Sequence, residues 1–280
     1  MYRLHYKLRE NPFHLSPDPR FMWLGKQQKE ALAALRHGNQ GNDGITILTG
    51  DTGTGKTTLI NAFVGGLPKD AFVSILSHPT IGRMDFFNFL AESFNFHQRF
   101  KDKSKFIAFF NSFLRISCKF SKRVIIVIDE AHKITPELLE EILVFSNYKM
   151  VEEIRMISKI TKRYRNPLNI YLVGQNELDQ ILNKREYNLL KHKAKKRYRI
   201  RPLTEVETQE YIKYRLKIAG AVEEVFSDKA VKVIYKFSAG YPRVINILCE
   251  NALLTGYFKK AKQIKPRIVK ECAKRLGYLD

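Results

Sequence analysis

The stretch Thr49-Gly-Asp-Thr-Gly-Thr-Gly-Lys-Thr-Thr-Leu59 sets Gly50, Gly55, Lys56 and Thr57 at the spacing G-x-x-x-x-G-K-[ST], directly after the apolar run Ile45 to Leu48. A triphosphate needs several backbone N–H donors converging on its oxygens, and glycine permits this by removing side chains and tolerating positive φ. The candidate phosphate-binding set is therefore Gly50, Asp51, Thr52, Gly53, Thr54, Gly55, Lys56, Thr57 and Thr58. Within it Lys56 is placed to neutralise the β and γ phosphates, and Thr57 to hold Mg²⁺. A helix opening there turns its positive dipole end toward the anion.

Hydrolysis at such a loop requires carboxylates as well, and Val124-Ile-Ile-Val-Ile-Asp129-Glu130 supplies two at the end of an apolar run. In a doubly wound sheet that position lies at the carboxyl end of a buried strand, where Asp129 can organise the Mg²⁺ shell and Glu130 can polarise an attacking water. Asp129-Glu130-Ala131-His132 also spells the box of a helicase superfamily, but that superfamily carries a second sheet domain and the tail here is helical. His132 is accordingly read as a polar helix-entry residue rather than a catalytic base. Gln175, following Ile170-Tyr-Leu-Val-Gly174, and Arg243, in Gly240-Tyr-Pro-Arg243, stand at element ends from which an amide and a guanidinium can report on the γ phosphate.

These residues need a scaffold. Short β-rich runs at Ile45 to Leu48, Phe72 to Leu76, Val124 to Ile128, Ile170 to Val173 and Tyr198 to Leu203 read as strands. Helical patterns over Lys56 to Val64, Arg83 to Phe94, Phe106 to Phe120 and Pro136 to Tyr148 alternate with them, which predicts an α/β fold with a parallel sheet covered on both faces. An earlier helix spans Lys26 to Arg36, with Gly38 as its expected stop, and the first twenty-five residues read as an extended arm. Beyond Pro202 the strand signal ends. Thr204-x-x-Glu207 is a capping box opening a helix to about Ala219, and further helices are expected at Asp228 to Ser238, Pro242 to Lys260 and Pro266 to Leu276. The expected domains are 1–203, an α/β nucleotide-binding core with an N-terminal arm, and 204–280, an all-helical lid.

The 280 residues carry 49 Lys and Arg against 28 Asp and Glu, a formal net charge of +21, which draws a protein toward polyanions. No apolar run approaches the ~20 residues that span a bilayer, so no transmembrane segment is expected and the location expected is cytoplasmic. Cys118, Cys249 and Cys272 lack Cys-x-x-Cys spacing and are read as reduced, buried thiols.

Taken as an ordered set, the chain resembles the AAA+ ATPases of the general secretion pathway protein A (ExeA) type, with the TniB/TnsC transposition ATPases as relatives. The resemblance is carried by Asn11-Pro12-Phe13, Ser16-Pro-Asp-Pro-Arg20-Phe21, the phosphate loop, Asp129-Glu130-Ala131, Leu138-Leu-Glu140-Glu141, Ser146-Asn147, Leu172-Val-Gly-Gln175 with Glu177-Leu178, Pro202-Leu203, Arg215-Leu216 with Ala219-Gly220, and Gly240-Tyr-Pro-Arg243 with Asn246. It implies a P-loop core with a helical lid, ATP and Mg²⁺ as cofactors, ATP hydrolysis, and a homo-oligomeric assembly. Gln175 looks like the sensor 1 residue, Arg243 like the sensor 2 arginine, and the Asn11 segment like an arm that approaches the base. Glu130, Lys56, Gln175 and Arg243 are the catalytic set so implied, with Thr57 and Asp129 on the metal. The partner implied is a secretion or surface-assembly protein, or alternatively a transposase.

Two features depart from the family. Leu190-Lys191-His192-Lys193 stands where an arginine-rich stretch is usual, so Lys191, Lys193 and Arg197 are the residues left to reach a neighbouring subunit. Tyr148 to Pro167 is longer than usual and contains the basic cluster Lys159 to Arg165. Between Lys191 and Arg201 seven of eleven residues are basic, with Arg197, Arg199 and Arg201 expected on one strand face and Tyr198 and Ile200 toward the core. Lys259, Lys260 and Lys262 add to this charge. Such clusters suit a DNA backbone, and equally a solvated edge face.

Overall fold

The computed structural model describes residues 1–16, 18–40, 44–146, 167–194 and 196–278. In chain order the elements are α1 (Tyr2–His5), α2 (Lys26–Gln40), β1 (Ile45–Gly50), α3 (Lys56–Gly65), β2 (Phe72–Leu76), α4 (Arg83–Ser93), α5 (Lys103–Lys119), β3 (Val124–Ile128), α6 (Pro136–Ser146) and β4 (Leu168–Gly174). They continue with α7 (Glu177–Leu182), α8 (Asn188–Lys193), β5 (Lys196–Ile200), α9 (Glu205–Ile218), α10 (Asp228–Ser238), α11 (Pro242–Phe258) and α12 (Pro266–Arg275). The basic cluster at Lys159 to Arg165 and most of the extension after Tyr148 lie outside the described residues, as does Lys195.

The chain divides into two compact units. One comprises residues 30–50 and 62–200, and the other residues 1–29, 51–61 and 201–280. This grouping cuts across the boundary expected after residue 203, since the N-terminal arm and the phosphate loop group with the helical tail.

The first unit is built on a parallel five-stranded sheet in the order β2-β3-β4-β1-β5. Every residue of β1, β3 and β4 is buried, as expected for strands covered on both faces. Register aligns Ile128, Leu172 and Ile47 across three neighbouring strands, so the chain leaves β3, β4 and β1 on the same edge of the sheet. α5 is amphipathic: Phe106, Phe110, Leu114 and Cys118 recur at helical spacing and are buried. Phe106 stacks on Phe87 of α4 with ring centroids 4.4 Å apart, and Phe145 of α6 closes the same aromatic cluster. At its margin, Glu141 is 1% exposed and accepts ion pairs from Arg83 of α4 at 2.7 Å and Lys103 of α5 at 2.6 Å.

β5 differs from expectation. It spans Lys196–Ile200 rather than Tyr198 to Leu203, leaves Arg201 outside the strand, and exposes Tyr198 at 37%. The apolar pair does not face the core together, because β5 is the edge strand and Ile200 alone of the two is covered. α2 likewise continues through Gly38 to Gln40 instead of stopping; a helical glycine costs only about 1 kcal/mol relative to alanine.

In the second unit the arm is not an extended strap. Tyr2 and Tyr6 of the α1 region, Leu8, Phe13 and Phe21 are buried in one core with Ile212, Leu216, Phe226, Ile245, Leu248 and Val269. Arg215, 6% exposed, fixes the arm from α9. Its Nε donates to the carbonyl of Pro12 at 2.5 Å, one terminal nitrogen donates to that of His14 at 3.2 Å, and the other donates to the Tyr211 hydroxyl at 2.8 Å. The Tyr211 hydroxyl in turn donates to Asn246 Oδ1 of α11 at 2.9 Å. A buried guanidinium is tolerated because its donors find carbonyl and hydroxyl acceptors.

α9 opens with the expected capping box, in which the Thr204 side chain accepts from the Glu207 amide and the Glu207 carboxylate accepts from the Thr204 amide. It ends in a Schellman turn on Gly220, φ +90°, where Ala221 donates to the Leu216 carbonyl at 2.9 Å and Gly220 to that of Lys217 at 3.0 Å. Gly240, φ +79°, has no room for a side chain, because a Cβ there would lie 1.9 Å from the Leu203 carbonyl oxygen. Gly240→Ala is expected to destabilise this unit by about 3 kcal/mol or more, read as a fall in thermal midpoint of roughly 5–10 °C.

The candidate nucleotide site

The phosphate loop leaves the carboxyl end of β1 and runs into α3, as the spacing of Gly50, Gly55 and Lys56 requires. Gly53 and Gly55 hold φ of +82° and +96°, conformations that side-chain-bearing residues rarely adopt. The loop winds about the Asp51 carbonyl. It takes the Thr54 hydroxyl at 2.8 Å and the Lys56 ammonium at 3.0 Å, so Lys56 is 6% exposed with its charge folded into the loop. A Cβ on Gly55 would meet nothing within 4 Å. Glycine is needed there for its backbone angles and leaves open space above the loop. Positive-φ glycines, an ammonium on the loop and the start of a helix together suit a triphosphate.

α11 of the same unit meets this loop. The Arg243 amide donates to the Gly53 carbonyl at 3.2 Å, and a Cβ at Gly53 would stand 3.0 Å from that of Arg243. Two residues earlier, the Tyr241 hydroxyl donates to Asp51 Oδ2 at 3.0 Å, and this carboxylate raises the tyrosine's pKa above its ordinary value. The structure thus sets Arg243 beside the loop, anchored by its backbone with its side chain exposed. Tyr241 is a contact that the sequence did not single out.

The carboxylates belong to the sheet unit. The Asp129 amide donates to the Leu76 carbonyl at 2.8 Å and extends the β2–β3 ladder, so Asp129 is 7% exposed at the strand tip. Its Oδ1 accepts from the Glu130 amide at 2.9 Å. Glu130 sits at φ +53°, left-handed for a non-glycine residue, which turns the chain sharply into the short 3-10 turn Ala131–Lys133. Its Oε2 lies 3.1 Å from Lys133 Nζ and 3.6 Å from His132 Nε2. From the tip of β4, the Gln175 amide donates to His132 Nδ1 at 3.3 Å. Gly174 makes this approach possible, since a Cβ there would stand 3.0 Å from the His132 amide nitrogen. Asp129, Glu130 and Gln175 are therefore brought together, and His132 is the residue that joins them.

Of the residues considered for contact with a neighbouring subunit, Arg197 and Lys193 have side-chain partners within their own chain. Arg197 Nε donates to the Ala194 carbonyl at 3.3 Å, and a terminal nitrogen lies 3.8 Å from Asp179 Oδ1. Asp179 Oδ2 accepts from the buried Thr49 hydroxyl at 3.3 Å. Lys193 Nζ donates to the Ser146 carbonyl, whereas Lys191 is exposed. Among the described residues no three His, Cys, Asp or Glu side chains form a metal cluster. Mg²⁺ held chiefly by phosphate oxygens and water needs few protein ligands, and the Thr57 hydroxyl and Asp129 carboxylate are of the right type.

A parallel α/β sheet whose β1 runs into this loop and helix defines a P-loop nucleoside triphosphatase fold. A family model for the AAA domain matches residues 39–182, just over half of the chain. The chain belongs to the AAA domain family. It is 29% identical over 266 residues to General secretion pathway protein A of Aeromonas hydrophila, covering 94% of this chain but only 46% of that protein. Among solved structures, Cdc6p from Pyrobaculum aerophilum matches with a TM-score of 0.69 at 17% identity, over 93% of this chain and 71% of that one. A chain of Drosophila ORC bound to DNA gives 0.63 at 14% identity, over 98% and 65%. The Thermotoga maritima RuvB Holliday junction branch migration motor gives 0.56 at 19%, over 90% and 70%. At these identities the structural matches speak for the fold. No helix among the described residues is long and apolar enough to cross a membrane, and all three cysteines are buried.

Proposed function

We propose that the chain binds MgATP and hydrolyses it, and that it works as a homo-oligomer driving assembly of a secretion or surface complex. The observation that carries the catalytic part is the loop itself, with Gly53 and Gly55 in left-handed conformations and Lys56 folded onto the Asp51 carbonyl. In this reading Lys56 and Arg243 neutralise phosphate charge, Thr57 and Asp129 hold Mg²⁺, Glu130 takes the proton of the attacking water, and Gln175 orients the γ phosphate. Bound Mg²⁺ would neutralise phosphate charge as the bond to the leaving group breaks. The assembly role rests on similarity to General secretion pathway protein A along almost the whole chain.

A second reading, a DNA-bound regulator of transposition, is favoured by the charge of +21 and by exposed Lys191, Arg199, Arg201, Lys260 and Lys262. Phosphate release by the purified protein, measured with and without random-sequence duplex DNA, separates the two. Mg²⁺-dependent turnover that DNA leaves unchanged is the expected result. Turnover strongly stimulated by DNA, lost steeply as salt rises, would replace the assembly reading with the DNA-bound one.

A further inference from the structure

We infer that His132 is a positioning residue that ties the tip of β4 to the proposed catalytic base, holding Glu130 in place through its imidazole. The inference rests on the hydrolysis reading above and adds to it a residue that the chemistry does not itself use.

The geometry is specific. His132 Nδ1 accepts the Gln175 amide proton at 3.3 Å, so that nitrogen is unprotonated and the proton of the neutral ring resides on Nε2. Nε2 lies 3.6 Å from Glu130 Oε2. The His132 side chain is 10% exposed, against 56% for Lys133, the cation at Glu130. Exposed ion pairs hold little, whereas a largely buried ring that takes a backbone amide on Nδ1 has few positions to take. Glu130 also keeps a left-handed backbone, which a non-glycine residue maintains when its surroundings over-determine it.

Asp129 accepts the Glu130 amide on one side, and His132 stands at its carboxylate on the other. Gly174, without a side chain, lets the turn carrying the ring approach β4. A shift of the Gln175 backbone therefore moves the imidazole, and with it the carboxylate that must meet the water. Positional error of this kind slows the chemical step while leaving nucleotide binding to the loop.

The test is steady-state MgATP turnover together with calorimetric MgATP affinity for the wild type, His132→Ala, His132→Asn and His132→Gln. Asparagine keeps an acceptor near the Nδ1 place and glutamine a donor near the Nε2 place, so each restores one end of the link. For His132→Ala the expected result is a kcat lowered about tenfold, with affinity and KM within about twofold. Asparagine and glutamine should each recover part of the loss. Wild-type kcat in His132→Ala overturns the inference alone, as does a loss that appears equally in affinity and thermal midpoint and that neither polar variant relieves. If His132→Ala fails to fold, unimpaired turnover in both polar variants has the same force. Absence of turnover in the wild type removes the hydrolysis reading, and this inference with it.

Discussion

Glu130→Gln is expected to lower kcat for MgATP by about 10²–10⁴, with nucleotide affinity within about threefold of the wild type. The amide keeps the size of the side chain and can still lie beside Lys133 and His132, but it cannot accept a proton from water. The ion pair to Lys133 that disappears is half-exposed, so its loss costs little stability. The backbone that turns at Glu130 is fixed by the hydrogen bond its amide donates to Asp129 Oδ1, which the substitution leaves intact. Single-turnover phosphate release and calorimetric affinity on the same preparation separate chemistry from binding. Retained turnover would remove Glu130 from its role.

Lys56→Ala should act at the earlier step. An ammonium bonded to an ionised phosphate contributes about 1.5–3 kcal/mol, so its removal should weaken MgATP binding by roughly 10–150-fold and turnover at least as much. The local structure sharpens the expectation. Lys56 is buried on the loop and bonded to the Asp51 carbonyl, so alanine also removes one of the bonds that hold the loop closed on itself. Lys56→Arg tests whether charge alone suffices: a planar guanidinium in place of a compact ammonium is expected to leave binding impaired. Affinity unchanged in Lys56→Ala would place the nucleotide elsewhere.

Strands and loop were legible because each has a strong local cause. Val124 to Ile128 is an apolar run between Arg123 and Asp129, Phe72 to Leu76 is rich in β-branched and aromatic residues, and both appear with the boundaries expected. The phosphate loop was legible because positive φ and phosphate access require glycine at fixed offsets. The capping box of Thr204 and Glu207 has a cause of the same local kind. Where the signal depends on distant partners, it thins. β5 carries cations at alternate positions, and its true extent is set by pairing with β1, which the residues of β5 do not encode. The arm has no periodicity, yet its scattered aromatics Tyr2, Phe13 and Phe21 are buried in a core supplied by helices some 200 residues on, whose Arg215 also donates to the carbonyls of Pro12 and His14.

The site shows the same division. Gly50, Lys56, Thr57, Asp129 and Glu130 stand in motifs, and Gln175 and Arg243 stand at element ends that an α/β nucleotide fold uses. Tyr241 and Asp51 lie 190 residues apart, and His132 and Gln175 lie 43 apart, with nothing local to pair them. In sequence, His132 stands only in a four-residue spelling shared with another superfamily. What gives it a place is a backbone amide across the turn, and Gly174, which makes room for the approach.

In the proposed function the loop between β1 and α3 takes up a nucleoside triphosphate with magnesium. Titration of the purified protein with MgATP in a calorimeter addresses it directly. Saturable heat with one nucleotide per chain, abolished or greatly weakened by Lys56→Ala, is the result predicted. No uptake at millimolar MgATP by folded protein, or undiminished uptake by the alanine variant, would contradict it.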